Sequence, residues 1–151
     1  MTGALALLLA GAQVTIGVYD AWGAFTDKDL ARCYAISAPV RSGDGFASVA
    51  ARFGRQRRAA LYLRLSRDRR SDAPITLAID DRRFTLAGNA RAAWSADAAT
   101  DHAIVAAMRG ARSMSVSTVS TTGRPFADTY ALGGAATAID AAALACRRTA
   151  G

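Results

Sequence analysis

Leu61, Leu63 and Leu65 occupy alternate positions in 60-ALYLRLSR-67, with Tyr62, Arg64 and Ser66 between them. A period of two sends the leucines to one side of an extended chain and the other residues to the opposite side, which defines a strand with one buried face. The alternation returns in 75-ITLAID-80, through Ile75, Leu77 and Ile79, and in 83-RFTLAG-88, through Phe84 and Leu86. Asp80 and Asp81 lie between those two runs, and a short polar turn between alternating runs predicts a β-hairpin. The segment 113-SMSVSTVST-121 is rich in β-branched residues and puts Met114 and Val116 on one face. Its phase shifts at Val119, which predicts a bulge. Thr122 and Gly123 end it, and 125-PFADTYAL-132 reads as the returning strand. Weaker strand candidates are 33-CYAIS-37 and 47-ASVAARF-53.

Two segments carry helical spacing instead. Asp101 is placed to cap 102-HAIVAAMRGA-111, where Ile104, Ala107, Met108 and Ala111 recur on one side. In 135-AATAIDAAALACRR-148, Ala136, Ile139, Ala143 and Cys146 form a stripe, and Arg147 and Arg148 suit the negative end of the helix dipole. The strands do not alternate with helices as a parallel sheet requires. The expectation is a mainly β chain, an antiparallel β-sandwich with one or two short α-helices, one of them C-terminal. The 151 residues fit a single domain. The charged stretch 67-RDRRSDAP-74 reads as an exposed loop between strands.

The first residues suggest an address. The short apolar run 4-ALALLLAGA-12 ends in Ala10, Gly11 and Ala12, small residues where a signal peptidase cuts. Residues 1–12 are therefore expected to be a signal peptide, with a single mature domain over 13–151. The run is far shorter than the ~20 residues that span a bilayer. Export changes the reading of the chain's two cysteines, Cys33 and Cys146. In an oxidising compartment a pair of cysteines usually bridges, and reduced buried thiols are the alternative. A nucleophile needs a base, and His102, the only histidine, is near neither cysteine in sequence. A metal needs more ligands than two thiols and an imidazole. A bridge from Cys33 to Cys146 would tie an early strand to the closing helix.

Catalytic signatures are missing. No G-x-S-x-G elbow occurs, and one histidine cannot be assigned to a triad. Asp80/Asp81 and Asp97/Asp101 could pair as acid and base, but a turn and a helix cap explain Asp80, Asp81 and Asp101 first. The stretch 42-SGDGF-46 fits neither a phosphate-binding nor a calcium loop and reads as a connector. No cofactor, metal site or enzymatic activity is expected. The charge is more informative: 19 basic against 12 acidic residues give +7, and Lys28 is the only lysine. Arg52, Arg55, Arg57, Arg58 and Arg64 cluster around Tyr62, with Arg67, Arg69 and Arg70 following, so one hairpin can present a basic face. Such a face suits an anionic surface, lipopolysaccharide or anionic lipid ahead of nucleic acid. Solvated loops and charged strand edges that block aggregation are the plainer explanation.

Several of these pieces occur in a familiar succession: Trp22, then 33-CYAIS-37, the acidic-turn hairpin 77-LAIDDRRF-84, 104-IVAAMRGARSMSV-116, and 126-FADTYALGGAATAIDAAALAC-146. From Trp22 to Cys146 the chain resembles the invasion-associated locus B family of bacterial exported proteins. Better-known members carry further cysteines in mid-chain, and this sequence does not, which marks it as a divergent member. The resemblance implies a periplasmic or envelope-associated β-sandwich with paired cysteines, and it brings no catalytic residues. It implies a non-enzymatic periplasmic or secreted protein that binds a protein or another envelope partner. The alternative is a basic module that binds an anionic polymer through the arginine-rich face.

Overall fold

Alternation along the chain becomes two faces of one sheet in a computed structural model, which describes residues 13–41, 43–52 and 59–149. The strands are β1 (Gln13–Tyr19), β2 (Trp22–Asp27), β3 (Arg32–Ser37), β4 (Phe46–Arg52), β5 (Ala60–Arg64), β6 (Ile75–Ile79), β7 (Arg82–Gly88), β8 (Ala92–Trp94), β9 (Ser113–Val119) and β10 (Pro125–Ala131). The helices are α1 (Ala98–Gly110) and α2 (Ala135–Thr149). The strands form one open antiparallel ladder in the order β1-β2-β3-β4-β5-β8-β7-β6-β9-β10. The fold class read from the sequence is thus the observed one: mainly antiparallel β with two helices, one of them C-terminal.

The ladder curls so that its far end returns to its start. Trp22 Nε1 donates to the carbonyl of Ala131 at the end of β10 (2.8 Å), and Val40 N, just after β3, donates to Thr129 O (2.8 Å). The apolar residues of alternate positions fill the concave side. Leu61, Leu63, Leu65, Ile75, Leu77, Ile79, Met114 and Val116 are all buried there. Helix α2 packs against β1 to β4, and α1 packs against β5, β6 and β7. Arg109 joins the helices through two bonds to Asp140, 2.6 and 3.1 Å long.

Cys33 on β3 and Cys146 in α2 form a disulfide, with Cα atoms 5.7 Å apart and a sequence separation of 113. The helix side chain that meets the strand is the one the stripe pointed inward, although the buried stripe runs through Ala135, Ala138, Ile139, Ala142 and Cys146. Ala136 and Ala143, expected on it, are only half-buried. In the chain-entropy picture, closing so long a loop contributes up to about 4–5 kcal/mol.

Other expectations need correction. Helix α1 starts at Ala98, and its cap is Asp97, whose Oδ1 accepts from Thr100 N at 2.7 Å. Asp101 sits in the first turn and accepts from Leu61 N instead (2.9 Å). The apolar spacing began later than the helix, because its first turn is exposed and needs no apolar residue. Val119 is not at a bulge, since β9 and β10 pair in unbroken register from Val119↔Pro125 to Ser113↔Ala131. Buried Thr118 takes the inner position there, so the phase never changes. The register shift that does occur is in β1, between Thr15 and Gly17. Strands β1, β2 and β8 have no counterpart in the pattern reading.

The expected signal peptide, residues 1–12, lies outside the described residues, as does Ser42 in the connector. Among the described residues, no helix is long and apolar enough to cross a membrane.

Candidate functional site

The convex side of the sheet is not uniformly polar. Residues that pair across strands share a face, and one row runs Ser48↔Tyr62↔Trp94 across β4, β5 and β8. Neighbouring rows hold Ala50↔Ala60 and Phe46↔Arg64↔Ala92. The small side chains of Ser48, Ala50 and Ala60 leave a depression, and large ones enclose it. The result is a groove of about 870 Å³ floored by those three residues. Leu30 and Arg32 form one wall; Phe46, Tyr62 and Trp94 form an aromatic rim; Ser95, Asp97 and Asp101 close the far side.

Local structure fixes each wall. Buried Asp27 accepts from Leu30 N (3.1 Å), which holds the β2–β3 turn, and Leu30 stays exposed at its tip. The Arg32 guanidinium lies 5.3 Å from the centre of the Tyr34 ring, and that ring stacks on Phe25 at 5.6 Å. Phe46 and Tyr62 have ring centres 5.9 Å apart. Tyr62 is 38% exposed, while Phe46 and Trp94 are half-buried. The Leu61–Asp101 bond pins the start of α1 to β5, so the helix start forms the wall beside Trp94.

Two carboxylates therefore face one groove, the pairing that would serve acid–base chemistry. Asp97 does not suit the acid's part. The backbone N–H of Thr100, followed by its side chain, holds the Asp97 carboxyl below its ordinary range, so it stays ionised where a general acid must keep its proton. Asp101 has one oxygen committed to Leu61 N. The arrangement sets carboxylate oxygens as hydrogen-bond acceptors along this side of the groove.

The residues proposed from the sequence divide. Tyr62 lines the groove, and Arg64 is exposed on the same face beside Phe46. Arg52 ends β4, and Arg55, Arg57 and Arg58 lie outside the described residues. The basic face does not continue past Arg67. Arg69 turns its guanidinium onto the carbonyls of Asn89, Ser71 and Ala73, and Arg70 pairs with Asp72 at 2.8 Å. Cys33 and Cys146 are bonded to each other, so neither is a thiolate nucleophile. His102 is exposed on α1. Arg32, Phe46 and Trp94 were missed. The signal was available for Phe46: in 46-FASVAAR-52, Ala47 and Val49 go to the core, so Phe46 and Ser48 must face outward.

A second hollow of about 580 Å³ lies between the 39–41 segment and β10, with buried Asp128 at its wall. Asp128 accepts from both the N–H and the hydroxyl of Ser66, so its charge serves to hold the chain after β5 against β10. The Tyr130 hydroxyl has no partner among the described residues; burial, then the Asp128 charge, raises its pKa. Set beside models of known families, curated proteins and solved structures, the chain matches none of them.

Proposed function

We propose that the chain is a non-enzymatic, exported binding module of the bacterial envelope, a divergent relative of the invasion-associated locus B proteins. The convex groove is its contact surface. The observation that carries this reading is the set of accessible aromatic side chains, Phe46, Tyr62 and Trp94, held over a small-residue floor by paired strands. Rigid half-exposed aromatics supply contact area at low entropic cost, which favours binding. The disulfide supports export, because such bridges persist in oxidising compartments. The test is cosedimentation of the purified, oxidised chain with isolated envelopes of the producing bacterium. Binding should drop at least tenfold in a Tyr62→Ala/Trp94→Ala variant and stay unchanged in Arg70→Gln. Equal retention of all three proteins rejects the groove as the contact surface.

A second reading has its own support. Arg64 is exposed beside Phe46, and the chain's net charge of +7 draws anionic polymers toward the protein as a whole. Steep loss of envelope binding with added salt favours this reading; binding indifferent to salt rejects it.

A further inference from the structure

We propose that the convex groove binds a strand of pyranose sugars that carries carboxylate substituents, an inference that rests on the groove being the module's contact surface. Sugars present two chemistries at once, apolar C–H faces and rings of hydroxyls. The groove matches both. Tyr62 and Trp94 offer accessible ring faces, and neither the Trp94 indole N–H nor the Tyr62 hydroxyl has a hydrogen-bond partner among the described residues. At one side Asp101 gives one oxygen to Leu61 N and leaves Oδ2 without a partner among the described residues, an acceptor for sugar hydroxyls. At the other side Arg32, held over the Tyr34 ring, makes no ion pair among the described residues and is available to a carboxylate.

The spacing suits a chain molecule. From β3 to β8 the ladder crosses β4 and β5, three interstrand steps of about 4.8 Å each. A ligand lying across these strands passes from Arg32 over the small-residue floor to the start of α1. Other occupants fit less well. An acyl chain would strip water from Arg32, Asp97 and Asp101 and give them no partners. A uniform polyanion would meet the negative charge of Asp97 and Asp101. A peptide cannot add as a strand, because β4 and β5 already have partner strands on both sides.

Two probes test the proposal: chitohexaose, a neutral strand of N-acetylated amino sugars, and peptide-stripped cell-wall glycan, whose alternate sugars carry a lactyl carboxylate. Each is titrated into the oxidised full chain by calorimetry and tryptophan fluorescence. Trp22 is fully buried and Trp94 is not, so a ligand-induced change reports the groove. The carboxylated strand should bind more tightly than chitohexaose. Arg32→Gln should erase that preference and leave chitohexaose affinity within about twofold. Trp94→Ala should weaken both probes at least tenfold. Amide shift mapping on the unmodified chain gives the same answer without any variant: shifts centred on Ser48, Ala60, Tyr62 and Trp94 support the site. Absence of binding by both probes, or shifts centred elsewhere, overturns it, as does saturable binding of the groove to anionic vesicles or peptides in their place. If envelopes are bound through the groove while both glycans fail, the contact surface stands and the sugar assignment falls. If envelopes are also ignored, both fall.

Discussion

Asp97 and Asp101 are four positions apart on one chain segment and do different work. Asp97 accepts from Thr100 N, one of the amides left without a helical partner at the start of α1, and one oxygen of Asp101 accepts from the strand amide of Leu61. Replacing Asp101 by Ala leaves the Leu61 N–H without its partner, which we expect to cost about 1–3 kcal/mol in denaturant unfolding. Asp97→Ala should lower the melting temperature through loss of the cap. Both Asp97 and Asp140 have carboxyls held below their ordinary range, Asp97 by the Thr100 N–H and Asp140 by hydrogen bonds from Arg109. A carboxyl whose native pKa is depressed adds stability that is fully present above its unfolded pKa and is lost as pH falls through the native one. The doubly substituted Asp97→Asn/Asp140→Asn chain should therefore be less stable at neutral pH and lose less on acidification. An identical acid profile for both chains would contradict the assignment.

Among the elements, the docking of α2 is the most constrained. Gly134 adopts φ +87° just before the helix, and a Cβ there would fall against the backbone carbonyl of Tyr19 at the end of β1. Gly134→Ala should destabilise the chain by more than a surface change does, since neither the backbone angle nor the contact can relax cheaply. Arg109→Ala, which removes an exposed pair between the helices, should cost only about 0.2–1 kcal/mol. The same elements show what was legible in the sequence. Leu61, Leu63 and Leu65, or Ile75, Leu77 and Ile79, declare a strand because each apolar residue meets the core from one side. Strand β1 does not, because its bulge at Thr15–Gly17 breaks the period and Val14 and Val18 stay exposed. Strand β8 has only Ala92, Ala93 and Trp94, too few residues to set a period. The groove was hidden for a different reason. It depends on which small residues lie opposite one another on neighbouring strands, and register between β4, β5 and β8 is a property of the assembled sheet. Tyr62 was found by its place in an alternating run, and Trp94 had no such run around it.

At the scale of the molecule, the two helices pack on the concave side of a curled ladder, and no other described helix or strand covers the opposite face of β3, β4, β5 and β8. One covalent link holds this arrangement end to end, from β3 to the last turns of α2. Cys146→Ser should lower stability by about 2–5 kcal/mol under non-reducing conditions, read by denaturant unfolding. The same change in the presence of reductant should make little difference. A bridge of this kind forms and persists outside the reducing cytosol. The direct measurement is intact-mass and non-reduced peptide mapping of the chain recovered from the extracytoplasmic fraction of its own host. We expect a mature form starting near Gln13 with the Cys33 and Cys146 peptides joined. Full-length chain confined to the cytoplasm with both thiols free would contradict it.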